Sequence, residues 1–292
     1  MNLLDTSSNW DPTKPWCEVA ERNRACDQML RNPKVDVPAL ITRMAHDFPL
    51  TCQLLFTTHD PRRRPSHMPF KLWDYQVKMG KCFTYCYDNL MSMLMEKTRD
   101  VGASWVFCAW LLWQWIFSDD FQALFTTRKK EMVDSRDEPD TMFERLRQML
   151  TRMPDGFKAL LLPDYNPARH ATFAKLLNPR SGSTITGEPP VDTFARQGRY
   201  GVIIYDEAAY MARLRTMMAS AGDSSECHIY ISTPNGMSGP YYEMRNAGRI
   251  PVVTVHWSVH PLKSRGMYLP EQAAAQDGFA ELAKRMEQRN EQ

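Results

Sequence analysis

The stretch Gly201-Val202-Ile203-Ile204-Tyr205-Asp206-Glu207 restricts the possible fold more than any other in the chain. An unbroken apolar run bounded by glycine and closed by two acids has no polar face to offer water, so it reads as a strand buried on both faces. Such strands belong to mostly parallel α/β sheets covered by helices, in which ligands gather at the carboxyl ends of the strands. Asp206 and Glu207 would stand at that end. There Asp206 can hold Mg²⁺ directly or through water, and Glu207 can orient and deprotonate an attacking water. The same acids equally suit an ordinary helix N-terminus, where they complement the helix dipole.

A second stretch supplies what those acids would act on. Met95-Glu96-Lys97-Thr98-Arg99-Asp100-Val101-Gly102-Ala103-Ser104-Trp105 reads as a strand ending in a phosphate-binding loop that opens a helix. In the pattern G-x-x-x-x-G-K-[ST], backbone N–H groups cradle phosphates, the Lys reaches the β- and γ-phosphates and the hydroxyl holds Mg²⁺. Gly102 and Ser104 occupy the second Gly and the hydroxyl position. Ala103 replaces the Lys, and Lys97 stands where the first Gly would be. A Lys at the loop entry lies beside the same phosphates and can reach them from the other side. A plain strand-to-helix turn carrying a glycine is the alternative.

Around these two stretches the pattern alternates strand and helix. Residues 1–66 are proline-punctuated and helical, for example over Val37–Phe48, and read as a small, mainly helical, lid-like subdomain. The basic run Arg62-Arg63-Arg64 near its end suits a solvated loop or a phosphate-backbone contact. Trp73-Asp74-Tyr75-Gln76 then feeds a helix over Val77–Leu90; Gln76 can offer a donor and an acceptor to an adenine edge, with Trp73 and Tyr75 stacking on the base. The same residues also fit an exposed helix-start Gln beside core aromatics. Met91–Met95 is expected as the strand delivering the loop, Val106–Phe117 as the helix behind it, and Ala123–Thr127 as the next strand. A helix over Met142–Met153 and an irregular 154–180 follow, then a short strand over 182–187. The loop Asp192–Arg199 carries Arg196 and Arg199. His228–Gly236 forms another strand, ending in Ser232, Thr233 and Asn235, which can sense a γ-phosphate or simply make a turn. Val252–Val255 is the last strand, and Gln272–Gln288 reads as a terminal helix.

Composition removes several classes. A net charge of +2 is too small to argue for nucleic acid by itself. Seven cysteines with no C-x-x-C pair argue against a disulfide framework or a zinc ribbon and suit a reducing cytoplasm. The N-terminus has no signal pattern, and the apolar run Trp105–Phe117 is too short to span a membrane and contains Gln114.

Taken in order, the Gln turn, the loop with Lys97, Gly102 and Ser104, the strand ending Asp206-Glu207 and the strand ending Ser232-Thr233 resemble the additional-strand, catalytic-glutamate (ASCE) P-loop NTPases. Within them the chain resembles the ATPase domain of tailed-bacteriophage large terminase subunits, over roughly residues 68–260. The resemblance rests on the early Lys97 with Arg99 two residues on, followed by Val101-Gly102-Ala103-Ser104. It extends to Gly182-Ser183-Thr184-Ile185, to Tyr205-Asp206-Glu207-Ala208-Ala209 and to Ser232-Thr233-Pro234-Asn235. It implies an α/β fold whose mostly parallel sheet is flanked by helices, with the core at 67–260 and a C-terminal segment at 261–292. It also implies hydrolysis of ATP with Mg²⁺, held by Ser104 and Asp206, with Glu207 as the catalytic acid-base group. Nucleotide would be contacted by Gln76, by Lys97 through Trp105 and by Thr233. An arginine is supplied to the phosphates in such enzymes, and Arg99, Arg196 and Arg199 are the candidates.

The partners implied are double-stranded viral DNA, the portal of a procapsid, a small terminase subunit and further copies of the chain in a pentameric ring, in the host cytoplasm. The isolated chain could also be a monomer. Large terminases usually add an RNase H-like nuclease, for which the residues after Trp257 are too few. The expectation is therefore an ATPase portion of a longer protein that does not cut DNA. Two alternatives share part of the pattern: another ASCE helicase or remodelling ATPase, and a scaffold that binds nucleotide without hydrolysing it.

Overall fold

The computed structural model describes residues 2–7, 14, 16–135, 138 and 140–265. The expected terminal helix at 272–288 lies outside them.

In chain order the elements are α1 (Val19–Arg31), α2 (Val37–His46), α3 (Phe48–Leu55), β1 (Thr57–His59), β2 (His67–Pro69), α4 (Asp74–Asp88), β3 (Met93–Lys97), α5 (Ala103–Phe117) and β4 (Gln122–Thr127). There follow α6 (Met142–Thr151), α7 (Asp155–Leu161), α8 (Pro167–His170), β5 (Ala171–Thr172), β6 (Lys175–Leu177), β7 (Thr184–Gly187), β8 (Val202–Asp206), α9 (Leu214–Ala221), β9 (His228–Ser232), α10 (Pro240–Asn246) and β10 (Val252–Val255). Eight strands form one sheet in the order β10-β3-β9-β8-β4-β7-β6-β5. All pairs from β10 to β7 are parallel, and β6 and β5 add antiparallel strands at one edge. The loop strand β3 and the acid strand β8 are therefore not neighbours, because β9 lies between them. The mostly parallel sheet is as expected, and a strand inserted between these two fits the additional-strand pattern that the resemblance implied.

Strand periodicity builds the two layers. Met93 and Met95 of β3, Val202 and Ile204 of β8, and Ile229 and Ile231 of β9 enter one core. The alternating Leu94, Ile203, Tyr205 and Tyr230 enter the other. A period of two in side-chain direction turns each apolar run into a strand with two buried faces. α5 covers the first face. It is apolar on all sides, and Trp110 and Trp115 are fully buried within it, as befits a helix enclosed by protein. The Trp113 indole N–H donates to the Met44 carbonyl at 3.0 Å. Among the described residues no helix is long and apolar enough to cross a membrane.

α1–α3 share this first core, since Cys26, Leu40, Met44 and Leu54 belong to the same cluster as α5 and the sheet. Close approach of α3 to α4 depends on Gly80, where a Cβ would meet the Phe48 ring at 2.5 Å. Arg22 of α1 is fully buried and donates to the carbonyls of Gln53 (3.3 Å), Phe56 (3.0 Å) and Arg152 (3.2 Å). Those carbonyls lie at helix C-terminal ends, where partial negative charge collects. Burial nevertheless pushes its pKa down to about 10. The small β1–β2 hairpin pairs Thr57 with Pro69 and so straddles residue 66, where the helical subdomain was expected to end.

Several element boundaries depart from the sequence reading. α4 starts at Asp74, so Gln76 sits in its first turn, and β3 runs on to Lys97. The expected helix at 142–153 ends at Thr151, because Pro154 interrupts it before α7. The stretch 154–180, expected to be irregular, holds α7, α8, β5 and β6.

Candidate active site

The carboxyl ends of β3 and β8 and the N-terminus of α5 border a cleft of about 1040 Å³. The loop between β3 and α5 turns through two left-handed residues, Asp100 at φ 57° and Gly102 at φ 74°. Gly102 is the N-cap of α5, a position in which a side chain is strained. Between them Val101 is buried, and its carbonyl accepts from the Tyr75 hydroxyl at 2.9 Å and from Gln76 Nε2 at 3.3 Å. α4 thus pins the loop. Thr98 is drawn to the other side, where its N–H donates to the Val255 carbonyl of β10 at 3.1 Å.

Lys97, at the end of β3, is buried and its Nζ lies 2.8 Å from Glu207 Oε1. Ser104, in the first turn of α5, donates its hydroxyl to Asp206 Oδ2 at 3.0 Å. The four residues singled out from separate motifs therefore meet in two contacts, Lys97 with Glu207 and Ser104 with Asp206. Asp206 is buried, and burial raises its pKa above the ordinary carboxylate range. Lys97 opposes that rise, Glu207 adds to it, and Arg145 and the Ser104 hydrogen bond oppose it more weakly. Glu207 is partly exposed and holds φ 59°, a left-handed conformation unfavourable for a residue with a Cβ.

Oxygen donors for a hard cation are present. Asp206 Oδ1 is buried without a hydrogen-bond partner, and the Ser104 hydroxyl lies on the other oxygen of the same carboxylate. Among the described residues no group of three or more His, Cys, Asp or Glu side chains is placed to hold a metal. One carboxylate and one hydroxyl suit Mg²⁺, which keeps several waters and takes phosphate oxygens as further ligands.

The remaining expected residues divide by position. Gln76, Arg99, Asp100, Val101, Ala103 and Trp105 line the cleft together with the four central residues and Gly102. Gln76 is buried, and its Oε1 accepts from the Trp73 N–H at 3.1 Å. The alternative of an exposed helix-start Gln does not hold, because the α4 cap and the loop carbonyl draw the side chain inward. Thr233 stands one step back, its hydroxyl donating to the Tyr210 hydroxyl at 3.2 Å. Ser232 Oγ accepts from the Ala209 N–H at 3.1 Å and Asn235 Nδ2 donates to the Ala209 carbonyl at 3.1 Å, so both hold the turn that follows Glu207. Arg196 and Arg199 are exposed outside the cleft, with Arg196 Nε on Ser220 Oγ at 3.1 Å.

The cleft also contains residues that no motif marked. Tyr210 and Arg145 line it, as do His260 and Lys263 beyond β10. Lys263 Nζ donates to the Arg99 carbonyl. The Thr233 hydrogen bond lowers the Tyr210 phenol pKa, and Arg99 lowers it further. Only the fold brings these residues together, since local pattern gives a helix for Arg145 but not which cleft it faces, and His260 and Lys263 belong to a segment without a recognisable pattern. The basic run Arg62-Arg63-Arg64 reaches the cleft through its first two residues. Arg62 pairs with Asp60 at 2.9 Å and with loop residue Asp100 at 3.7 Å, at the rim of the cleft.

No model of a protein family and no curated protein matches the chain. Solved structures do. The large terminase of bacteriophage HK97 matches at 13% identity and a TM-score of 0.53, over 84% of this chain and 52% of that one. The chain thus spans about half the length of that terminase, and the likeness is one of fold. The ATPase domain of the Thermus phage P74-26 large terminase matches at 18% identity and a TM-score of 0.41, over 64% of this chain and 86% of that one. A mutant of the same domain matches at 17% and 0.40, over 62% and 84%. The mostly parallel sheet flanked by helices is the architecture that the HK97 terminase shares with this chain.

Proposed function

We propose that this chain is the ATPase of a viral DNA-packaging motor, hydrolysing ATP with Mg²⁺ to drive double-stranded DNA into a procapsid. One observation carries the reading: Lys97 at the end of β3, Ser104 at the start of α5, and Asp206 and Glu207 at the end of β8, beyond β9, converge at the sheet's carboxyl edge. The HK97 terminase fold supports it. In this reading residues 67–260 form the motor core, residues 1–66 a helical, lid-like subdomain, and 261–292 a C-terminal segment that links to further chain.

The chain's own groups divide the work. Backbone N–H groups at the start of α5, together with the helix dipole, favour phosphate oxygens. Lys97 exchanges Glu207 for the β- and γ-phosphates, which frees the Glu207 carboxylate to take the proton of an attacking water. Ser104 and Asp206 hold Mg²⁺, which when bound offsets charge on the phosphates. Arg99 is available from within the cleft. Arg196 and Arg199, exposed outside it, are available to the cleft of a neighbouring copy in a ring at the portal. The small terminase subunit and the host cytoplasm complete the setting proposed.

Phosphate release by mixed subunits tests this. Arg196→Ala chains keep an intact cleft, and Glu207→Gln chains keep Arg196. Each alone should be slow, and the mixture should recover part of the wild-type rate, with double-stranded DNA raising the wild-type rate. A wild-type chain that binds ATP but releases no phosphate, with or without DNA, would instead be a nucleotide-binding scaffold.

A further inference from the structure

α6 carries two arginines two positions apart in quite different states. Arg147 is fully engaged, with a bidentate pair to the buried Asp134 at 2.6 and 2.7 Å and a further contact to Glu144 at 3.5 Å. Arg145 is not. Its Nη1 donates to the Met142 thioether at 3.6 Å, a weak acceptor, and its Nε is buried without any hydrogen-bond partner. The guanidinium lies over the Trp105 ring, with Cζ 5.3 Å from the centroid. Trp105 directly follows Ser104, and Arg145 lines the same cleft as Asp206 and Glu207. The guanidinium therefore lies in the same cleft as the cation-holding residues, over an aromatic ring and with a buried donor left over.

We propose that Arg145 is a phosphate-binding residue acting within its own subunit, its guanidinium donating to the terminal phosphate of a bound nucleoside triphosphate. The proposal rests on the nucleotide reading above and adds a contact that the sequence motifs do not contain. A buried donor without an acceptor is unfavourable until an anion supplies one. A planar fork of N–H groups matches phosphate oxygens better than an ammonium does. Lys97 arrives from β3 and Arg145 from the helix after β4, so the terminal phosphate is gripped by cations on two separate elements. A diphosphate would reach Lys97 and the loop but leave Arg145 without its acceptor. Arg145 thereby sets the preference for triphosphate over diphosphate.

The test is equilibrium titration of the whole chain with Mg²⁺ and fluorescent ADP or a fluorescent non-hydrolysable ATP analogue. Wild type is compared with Arg145→Gln and Arg145→Lys, each also melted thermally. Arg145→Gln should lose roughly ten- to hundredfold in triphosphate affinity, in line with a charge-assisted hydrogen bond, and keep its diphosphate affinity. Arg145→Lys, which keeps the charge without the fork, should recover part of the difference. If Arg145 only supports Trp105, the variants will melt lower and weaken both nucleotides alike, which overturns the proposal. An unchanged ratio of the two affinities overturns it too, and Arg145→Lys reads that ratio should the Gln variant fail to fold. A wild-type chain that binds neither nucleotide overturns the nucleotide reading itself, a result distinct from the loss of preference alone.

Discussion

Lys97 Nζ and Glu207 Oε1 lie 2.8 Å apart, joining the end of β3 to the end of β8 across the intervening β9. The two partners are unequal. Lys97 is 7% exposed and Glu207 26%, so the lysine depends on the pair more than the carboxylate does. Glu207 is held there in a left-handed conformation that is unfavourable by roughly 1–2 kcal/mol. Strain at a carboxylate facing a cleft is a mark of a group held in place for chemistry.

From this pair the Glu207→Gln variant should keep or slightly tighten ATP binding, because Lys97 no longer leaves a carboxylate to meet phosphate. Its hydrolysis should fall by about 10²–10⁴-fold, the range lost when a general base is removed. Lys97→Ala should weaken binding and hydrolysis together. Calorimetric titration alongside phosphate release separates the two effects. Normal turnover in Glu207→Gln would remove Glu207 from the role of base.

Asp206 makes the opposite kind of prediction, in which removing a charge helps the protein until ligand arrives. Burial raises its proton affinity, so above that raised pKa its ionised form disfavours the folded state. Asp206→Asn should accordingly melt no lower than wild type without nucleotide. With Mg²⁺ and nucleotide at a hundred times its Kd, wild type should gain about 2.7 kcal/mol, a rise of roughly 4–5 °C in Tm for a chain of this length, and the variant almost none. Differential scanning fluorimetry reads both. A variant that melts well below wild type before nucleotide is added would mean that Asp206 is chiefly structural.

What could be read from sequence follows from where the information sits. β3, β8 and β9 were legible because a strand with two buried faces must be apolar throughout, as in Val202–Tyr205. β5 and β6, of two and three residues, are too short to show any period and are defined by pairing alone. Gln76 was marked as a site residue, but its contact with the Val101 carbonyl joins segments 25 positions apart, which no local pattern encodes. Arg145 and Arg147 look alike on an amphipathic helix. Asp134 and Trp105, brought in by tertiary packing, are what make one structural and leave the other facing the cleft.

His260 carries a prediction about acid. Its ring packs edge-on against Trp73, with centroids 4.6 Å apart, and it is 6% exposed. Nδ1 accepts from the Leu262 and Lys263 N–H groups at 3.2 and 3.3 Å, which assigns the proton of the neutral ring to Nε2. Burial pushes its pKa down to about 4, Lys263 and Arg63 add to the fall, and Asp100 opposes it. An unfolded histidine takes its proton near pH 6.5, so between about 6.5 and 4 the unfolded state binds more protons than the folded one. Stability should therefore fall as pH drops through that window and level off below it. Protonating Nδ1 would also break the two N–H contacts that place Lys263, whose ammonium holds the Arg99 carbonyl of the phosphate loop. Nucleotide affinity, which depends on the folded ring alone, should hold through most of that window and weaken only as pH approaches about 4. His260→Asn, whose amide oxygen can accept the same N–H groups without titrating, should flatten both curves. Some slope will remain, because burial also lowers the pKa values of His67 and His228. Urea midpoints from pH 7 to 4.5 for the two proteins decide it, and superimposable curves would show that His260 is not the group responsible.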